Sequence, residues 1–247
     1  MRTAMAVITV SGAIGSGARE VARLAGDILG IDYVDQEILV DAAQRLGVSA
    51  RAVAQRDERC LTFGERLASL LRAFLDRSGA AGMGDPVLGA GGLELLLARS
   101  YGDLTESAEH EVDDALYMKT VTAIIRELSQ RGDIVILGRG SHLILRDHPT
   151  ALHVLTLAPP SLRVQRIAER EGLSPQEATK RVHDLDRGRT AFHHKFFRVE
   201  ADDPACYDLV IATSRLPFEL AAQLVAEAAR AREAAPPLTA HGEPVEP

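Results

Sequence analysis

The chain has 247 residues, 46% of them apolar and 26% charged, with 4% aromatic, no Trp and a formal net charge of −7. That length suits one α/β domain with a substantial core plus a lid or short tail, and a core so poor in aromatics must be built from Ala, Val, Ile and Leu. The acidic balance argues against a nucleic-acid partner, which would need a basic face, but a small anionic ligand stays open because a few arginines can focus positive potential in a cleft.

Residues 1–5 show no signal-peptide cleavage pattern and no apolar run reaches the length of a membrane span, so a cytoplasmic protein without a membrane partner is expected. Residues 6–11 form a short β-rich apolar run ending in glycines, the pattern of a buried central strand. Val21, Leu24, Ala25, Ile28 and Leu29 mark one face of a helix, with Gly30 where a C-cap glycine belongs. Residues 31–35 read as a brief second strand. Residues 36–75 read as helical with breaks at Gly47 and Gly64, and the Gly- and Ala-rich residues 79–92 as a mobile connection. Tyr117, Val121, Ile124, Ile125 and Leu128 line another helix, which stops at Gly132 and Asp133. Three further apolar strands follow at 134–137, 152–157 and 208–213, the last leading into a helix bearing Leu220, Ala221, Leu224 and Val225. The Pro-rich residues 233–247 have the composition of a disordered tail. Cys60 and Cys206 are too few and too far apart for a disulfide framework or a zinc site.

Continuous apolar strands alternating with helices imply a five-stranded parallel sheet covered on both faces. Ligands of such sheets sit beyond the C-terminal strand ends, an edge shared here by residues 12–17, Asp35, residues 138–140 and residues 158–161. Within the strand–glycine loop–helix unit at 7–29, glycines let several N–H groups turn inward, and the helix N-terminus adds a positive dipole. Two phosphate-binding patterns compete for this loop. GxGxxG started at Gly15 meets Glu20 where its third glycine belongs; GxxxxGK(S/T) fits Gly12 and Gly17 but meets Ala18 and Arg19 in place of lysine and hydroxyl. Gly12, Ala13, Ile14, Gly15, Ser16, Gly17, Ala18 and Arg19 are the candidate phosphate-binding residues. Arg19 is the candidate replacement for the lysine, through bidentate guanidinium contacts, and Ser16 could offer a hydroxyl to phosphate or Mg²⁺.

Five stretches in order resemble the cytidylate kinase-like family: residues 8–17, 29–35, 134–140, 153–163 and 207–214. The likeness covers roughly residues 6–228 and is weak between about 45 and 110. It implies a P-loop NTPase-type fold over residues 1–232, with a helical acceptor-side insertion at about 36–115 and an arginine-rich lid at about 174–200. It also implies ATP-dependent phosphoryl transfer to a nucleoside monophosphate, CMP or dCMP, with Mg²⁺ bound through the nucleotide. The lid segment runs from Arg181 through Asp184, Asp186 and Arg187 to Arg189. It follows a capping box at Ser174 and Glu177 with Pro175 at the first helical position. By the resemblance Asp186, Arg187 and Arg189 map onto lid positions, and with Arg19 they supply the charge that phosphoryl transfer needs. Arg139 matches the arginine that meets the acceptor monophosphate, with Asp35, Arg181 and Asp184 assigned to the acceptor side.

Two departures fall in that acceptor site. Gly140 stands where the family carries Asp, and Gln36-Glu37 where it carries Ser-Gly. A nucleotide sensor without catalysis is therefore the alternative. A Rossmann-type oxidoreductase is disfavoured by Glu20. Arg163, Arg166 and Arg170 lie at helical spacing, forming either a basic face toward the triphosphate or an exposed stripe. His193-His194-Lys195 has poor geometry for a metal site.

Overall fold

The computed structural model describes residues 6–46, 63–80, 90–103 and 111–234. Five strands, β1 (Val7–Gly12), β2 (Asp32–Val34), β3 (Ile134–Leu137), β4 (Leu152–Leu157) and β5 (Leu209–Ala212), form one sheet in the order β2-β3-β1-β4-β5. Every pairing is parallel. The described helices are α1 (Ala18–Leu29), α2 (Gln36–Leu46), α3 (Phe63–Ala80), α4 (Ala90–Ala98), α5 (Glu111–Arg131), α6 (Ser141–Ile144), α7 (Pro160–Glu171), α8 (Pro175–Phe197) and α9 (Phe218–Ala234).

The fold class expected from the apolar runs is the one observed. β3 and β4 coincide with their runs, while β2 and β5 are a residue shorter at each end. Gly64 sits in the first turn of α3, where a glycine interrupts few hydrogen bonds. Gly47, Cys60, residues 81–89 of the glycine-rich connection and residues 235–247 of the tail lie outside the described residues, and α9 runs on to Ala234.

Alternation along β1 sends side chains to opposite faces of the sheet. Ile8 and Val10 pack with Val21, Ala22 and Ala25 of α1 and with Ala221, Ala222 and Val225 of α9. The alanines keep both helices close to the sheet. Val7, Val34, Ile134 and Ile136 face the other way, onto Leu39, Leu71, Leu93 and Ile124 of the helical segments. A third, smaller cluster joins Ile167 of α7 to Ala178 and Val182 of α8. Each fully buried Ile, Leu or Val contributes about 1.5–3 kcal/mol relative to an exposed one.

Local signals end the elements where they should. Gly30 closes α1 at φ 65°. At the start of α8, Ser174 accepts from the Glu177 amide, the Glu177 carboxylate accepts from the Ser174 amide, and Pro175 needs no donor there. The chain passes from β1 to β2 and β3 on one side, then to β4 and β5 on the other. That reversal opens a crevice beyond the C-terminal end of β1.

Candidate active site

The crevice holds a cleft of about 560 Å³, in the range of small-molecule sites. Its floor is the loop between β1 and α1. The Ser16 amide donates to the Ala13 carbonyl at 2.9 Å and closes a tight turn. The amides that open α1 at Ala18, Arg19 and Glu20 have no acceptor within the helix, and the helix dipole favours an anion there.

The loop is held from behind by α7. Arg163 Nη1 donates to the Ile14 carbonyl at 3.2 Å, and Arg166 Nη1 to the Gly15 carbonyl at 3.0 Å. In a trans peptide the N–H points opposite to the C=O, so the Gly15 amide is turned away from Arg163, toward the cleft. A Cβ on Gly15 would stand 2.7 Å from the Arg163 carbonyl oxygen, and one on Gly17 would run into the Phe218 ring. Neither alternative expected for the arginine stripe holds for Arg163 and Arg166. They face the back of the loop because its carbonyls need donors there. Arg170 reaches the cleft wall and pairs with Glu171 at 2.9 Å.

Ser16 corrects the expectation of a ligand hydroxyl. It is 1% exposed, and its Oγ shares a 2.8 Å hydrogen bond with Thr156 Oγ1 beneath the loop. The missing Cβ of Gly12 leaves room for that pair. Arg19 does line the cleft, but its guanidinium pairs with Glu37 at 2.8 Å and Asp35 at 3.3 Å. The Glu37 bond and the two carboxylate charges hold its pKa above the ordinary value against a partial burial penalty. Asp35 caps α2 by accepting from the Ile38 amide at 3.0 Å, and also accepts from the Tyr33 hydroxyl at 2.8 Å. Burial and the Asp35 charge push the Tyr33 phenol pKa up.

Across from the loop, Gly138, Arg139 and Gly140 take three successive positive φ values of 76°, 57° and 67°. For Arg139 that conformation costs on the order of 1 kcal/mol or more. It is held by Tyr101, whose hydroxyl accepts from the Arg139 amide at 2.8 Å. The guanidinium carbon lies 5.1 Å from the Tyr101 ring and 5.7 Å from the Tyr117 ring, and Nη2 donates to the Arg99 carbonyl at 2.8 Å. Arg139 is 5% exposed and lines the cleft; its Nη1, buried beside the Tyr117 phenol, makes no well-formed hydrogen bond among the described residues, which leaves the guanidinium donor capacity to spare.

Helix α8 walls the cleft with Arg181, Leu185 and Arg189, four residues apart and so on one face. Arg189 is buried and donates to Asp202 at 2.8 Å, the Ala201 carbonyl at 2.8 Å and Ser11 Oγ at 3.2 Å. Arg181 lies 3.5 Å from Glu171. The structure does not bring Asp184, Asp186 or Arg187 to the cleft. Asp184 and Arg187 are exposed and 4.0 Å apart, and Asp186 grips Arg163. They occupy other faces of the helix, a phase that motif matching does not register. Behind Arg189, His193 Nδ1 donates to the Arg189 carbonyl at 2.8 Å, and His142 stacks between His193 and Tyr207. Burial is the main cause that lowers the His142 pKa to about 2 and that of His193 to about 4.

Tyr101 and Ser11 line the cleft but were not singled out from the sequence. Tyr101 falls in the stretch of weakest resemblance, and Ser11 reads as the end of a strand.

The sheet order, the glycine loop at the end of the central strand and the arginine-lined cleft define a P-loop-type α/β fold. The chain belongs to the cytidylate kinase-like family, whose family model matches residues 7–215. A cytidylate kinase from Methanopyrus kandleri is 31% identical over a match covering 36% of this chain and 51% of that enzyme. One from Pyrobaculum calidifontis is 26% identical over 53% of this chain and 71% of its own. The match thus spans about half the length of the Methanopyrus enzyme. Among solved structures, an uncharacterized protein from Eubacterium ventriosum superposes with a TM-score of 0.59 at 15% identity, over 91% of this chain and 98% of that one. That likeness concerns the fold. No helix among the described residues is long and apolar enough to cross a membrane.

Proposed function

We propose that this protein transfers the terminal phosphoryl group of ATP to a nucleoside monophosphate, with CMP or dCMP as acceptor. The observation that carries the reading is the pairing, in one cleft, of an amide-lined glycine hollow with Arg139, a buried guanidinium whose Nη1 makes no well-formed hydrogen bond among the described residues. Family membership and the cytidylate kinase relatives support it.

The residues present fit a nucleoside triphosphate. The hollow has no room for a Cβ at Gly12, Gly15 or Gly17, and an opening helix faces it. When bound, ATP supplies the phosphoryl group and Mg²⁺ draws its oxygens together. The loop amides hold the donor phosphates, Arg139 the acceptor phosphate, and Arg19, Arg181 and Arg189 offset charge between them. Arg19 leaves Asp35 and Glu37 for the phosphates in this reading. The lone pairs of Asp35 already serve Tyr33, Ile38 and Arg19, which leaves it a poor general base. A phosphate acceptor, whose oxygen is already ionised, needs none; a hydroxyl acceptor would.

A coupled assay over all nucleoside monophosphates tests the proposal. Turnover is expected with CMP or dCMP, and folded protein inactive on every acceptor rejects it. Arg19→Ala should lower kcat roughly a hundredfold, the scale of a lost transition-state charge contact; an unchanged rate removes Arg19 from the chemistry. Ala18 at the lysine position and the carboxylate grip on Arg19 favour the second reading, a nucleotide sensor. Its signature is thermal stabilisation by ATP–Mg²⁺ with no phosphoryl transfer.

A further inference from the structure

Arg163 sits where three parts of the chain meet, and it is 8% exposed. Its Nη1 donates to the Ile14 carbonyl at 3.2 Å, and its two terminal nitrogens grip both Asp186 oxygens at 2.9 and 2.7 Å. The crest of the phosphate loop leans on the same place. Gly15 backs directly onto the Arg163 main chain. The Ile14 side chain packs into the small cluster of Ile167, Ala178 and Val182 that α7 and α8 share, apart from the two main cores.

Side-chain packing and one guanidinium therefore act on a single peptide, Ile14–Gly15. The packing sets where Ile14 lies. The guanidinium sets its carbonyl outward and hence the Gly15 amide inward. A bidentate, charge-assisted pair holds that geometry firmly, while Asp186, 31% exposed at its side chain, keeps a route to water. The helix that supplies Asp186 also carries Arg181 and Arg189 on the cleft wall.

We propose that Arg163 and Asp186 are a positioning pair that couples the seating of α8 to the phosphate-ready orientation of the Ile14–Gly15 peptide. Neither touches the nucleotide. Docking of α8 with its arginines and filling of the loop reinforce each other, since each is favoured by the state the other selects. This extends the proposed function and rests on its reading of the loop as the donor phosphate site.

The test measures ATP–Mg²⁺ affinity by titration calorimetry, without acceptor, on the full chain and on Asp186→Asn, Arg163→Met and the double variant. Circular dichroism and melting verify each fold, and Arg163→Lys replaces Arg163→Met if the latter does not fold. Each single variant is expected to weaken ATP roughly tenfold, the scale of a coupling between sites, and the double variant no more than either single. Losses that multiply in the double variant overturn the coupling. So does an Asp186→Asn protein with unchanged ATP affinity and a raised acceptor KM, which marks direct substrate contact instead. A wild-type protein that binds no ATP–Mg²⁺ removes the loop reading itself and this inference with it, whereas binding wild type with unaffected variants removes the coupling alone.

Discussion

Position 140 shows how a single departure from the family pattern acquires a physical cause. The family resemblance implies an aspartate there, on the acceptor side. Here Gly140 has φ 67°, and a Cβ would stand 2.5 Å from the Phe197 ring, which packs against Phe192 with ring centroids 5.9 Å apart. Placing the aspartate there by Gly140→Asp would strain the backbone and displace a half-buried aromatic that packs against the core. It is expected to lower stability by about 1–3 kcal/mol without adding discrimination between acceptor bases in the proposed reaction. Thermal melts and the ratio of CMP to UMP turnover check this. The mismatch at 140 was legible in the sequence, but its cause lies in a contact with a residue far along the chain. The same limit applies to Ser16 and Asp186. Both stand at motif positions that suggest ligand contact, and both are held by partners, Thr156 and Arg163, that no local pattern reveals.

Elements were more legible than contacts. The strands follow from unbroken apolar runs, because a strand buried on both faces has no polar side to confuse the pattern. The start of α8 follows from its capping box. What motif matching left out was the rotational phase of α8, which decides that Arg181 and Arg189 reach the cleft while Arg187 does not. Gly188 belongs to this phase. A Cβ there would meet the Gly102 nitrogen at 3.1 Å and the Tyr101 carbonyl carbon at 3.4 Å, so the glycine lets α8 press on the segment that clamps Arg139. Gly188→Val gains at most about 0.5–1 kcal/mol by removing a helical glycine, and overpacking costs about 1–3 kcal/mol; the crowding wins. With Tyr101 pushed off Arg139, the acceptor KM should rise about tenfold while ATP affinity holds. Steady-state kinetics with each substrate varied separates the two.

At the scale of the whole molecule, a net charge of −7 coexists with a cleft that sets Arg19, Arg139, Arg170, Arg181 and Arg189 against Glu20, Asp35, Glu37 and Glu171, so the cleft is close to balanced and repels anions less than the acidic surface around it. Stability should depend on pH through the buried histidines. Above pH 6.5, the ordinary histidine value, the His142 and His193 rings are neutral whether the chain is folded or not. Below it the unfolded chain takes up protons, while folded His193 stays neutral down to about 4 and His142 to about 2. The unfolded state then binds more protons, and stability falls as the pH drops from 6.5 toward 4, by about 1.4 kcal/mol per pH unit for each ring. His153, also lowered by burial, acts in the same direction. Calorimetric melts at pH 7.5 and 5 measure the loss, and His142→Phe, which keeps a ring on Tyr207, should flatten the curve.

The placement of β1 has a kinetic consequence. This strand leads into the glycine loop, yet its neighbours in the sheet are residues 134–137 and 152–156. Pairings so remote along the chain must overcome a large loop-closure entropy before they yield any stabilisation, and they form slowly. A polypeptide emerging from the ribosome holds its first strand without a neighbour until the chain's second half arrives. The proposed nucleotide site is therefore completed late in biosynthesis, and a fragment ending before residue 134 is expected to lack it.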